Sequence, residues 1–372
     1  DAALEIADLR GDAETIVVPF AWETVASGVE AHWMSRGWYS RELEVPSGWH
    51  GQRVVLHFGA VHHSATVWVN GIELGSHEGG YTPFEFDITE ALAAARREGE
   101  AATLVVRVDA PLDKRSIVHG KQRSIPRDDY DNCAFTPSSG IWQSVWLEAR
   151  PATYIASVRL GAMDALDGVV ATVRLDGPSA AAATTRVEVD GSAPVQFSGA
   201  TGEVSVEIPG ARRWSPEHPH LYFVRVTTES ADGLDVVTSY TGLRRIDVEG
   251  DRILLNGEPL YVRGVLDQGY WPRTGITAPD DEAFVTDLLI AAASCFNLVR
   301  KHLKLEDPRF LYHADRLGML VWAEPASTGR FSEEGAKRFE AQIEPMVRRD
   351  GNHPSIIVWG LYNEEWGLDW DV

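Results

Sequence analysis

Asp307-Pro-Arg-Phe-Leu-Tyr-His-Ala-Asp-Arg-Leu-Gly-Met-Leu-Val-Trp-Ala-Glu324 is the stretch on which the fold turns. Residues 307–317 read as a helix, Gly318 closes it, and 319–323 is a short apolar strand that runs straight into a carboxylate. The same alternation recurs on both sides. Upstream lie a strand at 260–265, a helix at 280–294 and a strand at 296–301. Downstream lie a helix at 332–349, which Pro345 should kink or divide, and a strand at 356–361. Strands alternating with helices imply a parallel sheet. At most four β/α steps are present, the last strand lacking its helix, where a closed barrel has eight. The expectation for 249–372 is the N-terminal half of a (β/α)8 TIM barrel.

The texture changes at Arg252-Ile-Leu-Leu-Asn-Gly257. Before it, from about residue 14 to 150, short β-branched and aromatic runs such as Val54-Val-Leu-His-Phe58 and Thr66-Val-Trp-Val69 are separated by Gly, Pro, Asn and Asp. This reads as an antiparallel, jelly-roll-like β-sandwich over 1–150. Asn70-Gly71 directly after a strand suits a two-residue type I′ hairpin, which needs positive φ at both central positions. From 151 to 248 come Val170-Ala-Thr-Val-Arg-Leu175, Thr185-Arg-Val-Glu-Val189 and Tyr222-Phe-Val-Arg-Val-Thr227, with the size and spacing of an immunoglobulin-like β-sandwich. The whole is a multidomain β and α/β chain.

Bulk properties narrow the function. The 372 residues are enough for two or three domains, and no low-complexity tract suggests disorder. A net charge of −21 repels phosphate backbones and anionic lipid, so neither nucleic acid nor membrane is an expected partner. No apolar run approaches the length of a membrane span, and the start, Asp1-Ala-Ala-Leu-Glu5, lacks a signal-like pattern. A cytoplasmic location is the expectation, with a removed signal as the alternative. Cys133 and Cys295 have no C-x-x-C partner and are expected to be reduced, partly buried thiols.

In a barrel of this type the active site lies at the C-terminal ends of the strands. The residues that follow the four strands are Asp267-Gln-Gly-Tyr-Trp271, Arg300-Lys-His302, Glu324-Pro325 and Asn363-Glu364-Glu365-Trp366. Carboxylates, a guanidinium and indoles converge there. Glycosidic cleavage needs one carboxyl to protonate the leaving oxygen and a second to attack or to activate water, while aromatic faces suit sugar C–H surfaces.

The same residues carry a resemblance. Asp350-Gly-Asn-His-Pro-Ser-Ile-Ile-Val-Trp-Gly-Leu-Tyr-Asn-Glu364 resembles the acid/base signature of glycoside hydrolase family 2, the family of β-galactosidases and β-glucuronidases. Asn297-Leu-Val-Arg300 through Glu324 resembles the family's other signature, except that His302 stands two rather than three positions after Arg300 and the following Pro is missing. Val67-Trp-Val-Asn-Gly71, Gly80-Tyr-Thr-Pro-Phe84 and Gly140-Ile-Trp-Gln-Ser-Val-Trp146 look like the family's sugar-binding sandwich. The resemblance implies a retaining, exo-acting β-glycosidase. In it Glu364 is the general acid/base, Asn363 hydrogen-bonds the sugar's 2-hydroxyl, and Arg300 keeps the nucleophilic carboxylate charged. It further implies that the nucleophile is a second Glu after the seventh strand, which this chain does not reach. A β-galactoside is favoured over a β-glucuronide, and Glu364 needs a raised pKa, which a nearby nucleophile would supply.

Each reading has a plainer rival. Asp267, Trp271, Glu324, His302 and Trp366 are candidate sugar contacts, but loop capping, packing or ion pairing would account for them equally. Glu365 is the weaker candidate for the acid. Trp38, Trp68 and Trp142 are expected to pack rather than bind sugar, and His62, His63 and His119 to be surface polarity rather than a metal site. No metal and no cofactor is expected. The partners expected are a carbohydrate substrate and either further copies of the chain or the remaining barrel half. The 372 residues by themselves are expected to be inactive and to expose an apolar sheet edge. A noncatalytic carbohydrate-binding or assembly protein is the alternative.

Overall fold

The computed structural model describes residues 13–98, 101–127, 133–364 and 366–369; the start of the chain, Asp1-Ala-Ala-Leu-Glu5, and Glu365 lie outside the described residues. The first unit is a sandwich of two antiparallel sheets. One sheet orders Arg36–Leu43, Ala102–Asp109, Ser64–Val69 and Ile72–Glu78; the other orders Phe84–Asp87, Arg53–Phe58 and Val145–Arg150. Alternation decides what is buried. Val54, Leu56 and Phe58 meet Val67, Val69, Val106 and Val108 between the sheets, each large side chain contributing about 1.5–3 kcal/mol. The Asn70-Gly71 hairpin is present, with φ of 52° and 75° and Val69 opposite Ile72.

Trp38, Trp68 and Trp142 of this unit pack against protein groups, whereas Trp33 and Trp146 are exposed. Trp142 is buried and donates from Nε1 to the Gly80 carbonyl at 2.7 Å. Trp38 and Trp68 stack at 5.7 Å beside Arg107. Two expectations need correction. His62, His63 and His119 are not surface polarity but are buried, at 0%, 3% and 4% exposure, because their stretches of chain are closed in against the barrel. Cys133 and Cys295 form no disulfide but are exposed rather than partly buried, Cys295 because it lies in the turn after a helix with φ of 67°.

The second unit is also a two-sheet antiparallel sandwich. Three strands, Tyr154–Ala162, Gly168–Asp176 and Thr201–Glu207, face four, Val195–Ser198, Thr184–Val189, Tyr222–Ser230 and Gly233–Thr241. A small meander of Ile246–Glu249, Arg252–Leu255 and Glu258–Pro259 then leads into the parallel sheet.

That sheet has four strands in sequential order: β1 (Gly264–Asp267), β2 (Leu298–Lys301), β3 (Leu320–Ala323) and β4 (Ile356–Trp359). All three pairings are parallel. The helices are α1 (Asp281–Ala293), α2 (Pro308–Leu317), α3 (Glu333–Ala341) and α4 (Ile343–Asp350). Asp280 and Asp307 cap α1 and α2 by accepting from the N–H of Ala283 and Arg309, both at 2.9 Å. The expected single helix at 332–349 is two helices that meet at Gln342. Pro345 sits in the first turn of α4, where its missing N–H leaves no bond unmade. β1 starts later than the expected 260, because Leu260 still bonds back to Ile253 in the meander and Arg263 spends its backbone on Asn297.

The second sandwich holds the fourth strand in place. Arg244 donates to the carbonyls of Pro354 and Ile356 at 3.1 and 2.7 Å, and the Trp214 indole donates to Asp315 O at 2.8 Å. Asp315 in turn accepts from the Ser355 N–H at 2.9 Å. The chain entering β4 is thus clamped from outside the barrel, and the residues leaving β4 inherit that position.

Candidate active site

Parallel strands end on the same side, so the polar residues after β1 to β4 are gathered at one mouth. At its centre is Arg300 on β2. Its Nε donates to Glu324 Oε1 at 2.5 Å, its Nη2 donates to Asn363 Oδ1 at 2.8 Å, and its guanidinium lies 5.0 Å from the Trp322 ring centre. The second oxygen of Glu324 accepts from the Leu303 N–H at 3.1 Å. Leu303 adopts a left-handed conformation, φ 52°, within the turn that leaves β2. Glu324 is 2% exposed, and both of its oxygens are occupied.

His302 completes this network. Gln268 lies 3.2 Å from its Nδ1, and it is hydrogen-bonded to Asn363. Burial pushes the imidazole below its usual range, with the bond to Asn363 and the charge of Glu324 pulling the other way. Glu364 follows on the exposed side of Asn363, with φ of 51°, and the Trp366 N–H closes the turn onto Asn363 O at 3.0 Å. Among the described residues no hydrogen bond or ion pair engages the Glu364 carboxylate.

Asp267 and Trp271 belong to a neighbouring cluster. Lys301 Nζ sits 2.7 Å from Asp267 and 2.8 Å from Glu306, while Lys304 Nζ sits 2.8 Å from Glu306 and donates to the carbonyls of Gly269 and Ile276. Burial would raise Asp267, but Lys301 and Lys304 hold its carboxyl below the usual range. Burial brings Lys304 down to about 8. Asp267 also accepts from the Gly269 N–H at 2.7 Å. Trp271 meets Phe284 edge to face at 5.7 Å with Lys304 over its ring. These groups shape the loop after β1. Trp366 is buried, at 3% exposure, under the ammonium of Lys121. A cleft of about 560 Å3 lies between β1, the loop that follows it and α1, lined by Val265, Leu266, Asp267, Trp271, Asp287 and Ile290.

The arrangement therefore joins Arg300, His302, Glu324, Asn363 and Glu364 and sets Asp267 and Trp271 apart. Reading the sequence overlooked Gln268 and Lys121. Gln268 lies within the loop after β1, but Lys121 is on a loop of the first sandwich, and no periodicity or spacing ties it to a barrel.

Comparison with known proteins covers nearly the whole chain. Residues 6–151 match the profile described as glycosyl hydrolases family 2, sugar binding domain; 145–244 match glycosyl hydrolases family 2; and 246–369 match its TIM barrel domain. The chain belongs to glycosyl hydrolase family 2. Relatives of this family 2 chain include a β-galactosidase of Thermoanaerobacter pseudethanolicus, 29% identical over 87% of the chain and 44% of the relative. A β-glucuronidase of Paenibacillus borealis is 27% identical over 88% of the chain and 58% of the relative. Among solved structures, a β-glucuronidase of Bacteroides uniformis superposes with TM-score 0.74 at 27% identity, over 95% of the chain and 44% of that structure. One from Parabacteroides merdae reaches 0.79 at 21% identity, over 95% of the chain and 46% of that structure, and shows the shared fold. The family 2 chain spans about half the length of the relatives it matches.

Proposed function

We propose that this chain supplies the acid/base half of a retaining β-glycosidase acting on terminal β-linked sugars. The observation that carries the reading is the placement of Asn363-Glu364 after β4. Asn363 is held by Arg300 at 2.8 Å, while the adjacent Glu364 carboxylate is left exposed at the mouth. Glu364 first protonates the departing oxygen as a carboxylate attacks the anomeric carbon. It then takes a proton from the water that releases the sugar. In the family pattern the attacking carboxylate is a second glutamate beyond the strands described here. Arg300 is already committed to Glu324 and Asn363, so its role in this reading is to fix Asn363 as well as to lend positive charge to the site.

The sugar favoured by the sequence is a β-galactoside, and the relatives are named for both β-galactosides and β-glucuronides. The test uses the chain in its full genomic reading frame. Glu364→Gln should lower kcat/KM by about 10²–10⁴ for glycosides with poor leaving groups. It should cost far less for a dinitrophenyl leaving group, which needs no proton. Equal turnover of both substrates in Glu364→Gln and the unaltered protein would sink the assignment.

A further inference from the structure

The first sandwich reaches across to the barrel mouth through residues 111–127 and 133–139. His119 and Gly120 both donate to Ser327 O, at 3.2 and 3.0 Å, and the Gly329 N–H donates back to His119 Nε2 at 3.1 Å. Gly120 has φ of 59°, and a Cβ there would lie 2.4 Å from the Leu303 carbonyl, so glycine is required for the approach. The next residue, Lys121, is held at its backbone by the Phe135 N–H, 2.7 Å from Lys121 O, and Phe135 stacks on Tyr270 at 4.3 Å. Lys121 is 6% exposed. Its ammonium lies 4.0 Å from the Trp366 ring centre and donates to Cys133 Sγ at 3.3 Å.

We propose that Lys121 is a specificity residue lent to the barrel by the sandwich, and that it receives a negatively charged substituent of the glycoside, a uronic acid carboxylate or a sulfate ester. This rests on the glycosidase reading and moves the substrate from the neutral β-galactoside favoured by sequence to an anionic one. A buried ammonium is ordinarily paired with a carboxylate. Of the other cations near the mouth, Lys301 and Lys304 share Glu306 and the half-buried Arg300 has Glu324, while Lys114, buried in the same segment, donates to Pro111 O at 3.3 Å and feels the charge of Glu23. Lys121 has no carboxylate partner among the described residues. A thiol is a weak acceptor and an indole face only a partial one. The position is two residues beyond Glu364 in contact and close enough to His302 to oppose its protonation. In a chain of net charge −21, a buried cation here with no carboxylate partner among the described residues marks where an anionic group is wanted.

The test compares the unaltered protein, Lys121→Met and Lys121→Arg, each in the full reading frame. The substrates are chromogenic β-glycosides that differ only at C6: hydroxymethyl, carboxylate and 6-sulfate. The unaltered protein should prefer an anionic substrate, and whether carboxylate or sulfate wins names the source of the charge. Lys121→Met should lower the anionic-to-neutral ratio of kcat/KM roughly 50-fold, mainly through KM, and Lys121→Arg should restore a large part of it. Preference for the neutral substrate in the unaltered protein, or an equal loss on all three in Lys121→Met, overturns the proposal. Full turnover by Glu364→Gln of a glycoside with a poor leaving group would instead show that the acid/base reading has failed, since the ratio reports on Lys121 alone. If no substrate is turned over, calorimetric binding of glucuronate and of galactose 6-sulfate decides: heat that is lost in Lys121→Met supports the proposal, and no heat in the unaltered protein overturns it.

Discussion

Both oxygens of Glu324 are taken, one by Arg300 and one by the Leu303 N–H, at a position only 2% exposed. Its place after β3 made it a candidate for sugar contact, yet its surroundings make it a brace for Arg300, and through Arg300 for Asn363. Glu324→Ala should therefore lower the unfolding free energy by about 3 kcal/mol, because the half-buried guanidinium loses its counter-charge. The midpoint of urea unfolding measures this directly. An unchanged midpoint would mean that Glu324 is not a brace. The brace was hidden in the sequence because the second partner exists only through the left-handed turn at Leu303, and nothing in Arg300-Lys-His-Leu303 announces φ of 52°.

At the scale of elements, features set by local chemistry were legible and features set by meetings between elements were not. Asn70-Gly71 dictated its hairpin, Gly318 stopped α2, and Pro345 divided a helix, each through its own backbone constraint. The start of β1 was misplaced, since the partner of Arg263 is Asn297 and that pairing appears only when the strands come together. Glu364, the residue proposed as acid/base, could be singled out in the sequence because strand end and motif coincide there. Lys121 was not, because a sandwich loop became part of the barrel mouth. Gly120 is the hinge of that meeting. Gly120→Ala should strain a left-handed position by about 1–2 kcal/mol and also push against the Leu303 carbonyl. The loop should then lift, seen as faster proteolysis near residue 120 without unfolding of the second sandwich. Unchanged cleavage would show that the loop does not depend on this contact.

At the scale of the molecule, the seam between the first sandwich and α3 makes stability depend on pH. Arg338 of α3 is ion-paired with Glu78 and donates to Ser116 O at 2.9 Å beside a cleft of about 240 Å3 that His63 lines. Burial is the main cause that takes His63 down to about 4, Glu78 opposing and Arg338, Lys114 and His77 adding; burial also holds His62 well below its usual range, next to Lys114, His63 and His119. A histidine whose folded pKa lies below its unfolded value binds fewer protons when folded. Its contribution is thus complete above about pH 6.5 and is lost as pH falls toward 4, amounting to about 3 kcal/mol for His63. His57 acts in reverse: burial lowers it, but Glu148 and Glu85 more than compensate, so its contribution is present in acid and lost as pH rises. Denaturation at pH 7.5 and 5.0 should show lower stability in acid, and His63→Gln should narrow the gap. A gap that His63→Gln leaves unaltered would place the acid sensitivity elsewhere.

The loop that carries Gly120 and Lys121 gives this architecture one more property. The carboxylate proposed for proton transfer and the cation proposed for specificity are encoded more than 200 residues apart, in units that each have a main core and are joined by a shared buried cluster of Tyr81, Val118, Trp142, Ile276 and Phe339. On those two proposals, recombination or drift in the N-terminal sandwich would change which glycoside is accepted while leaving β1 to β4 untouched.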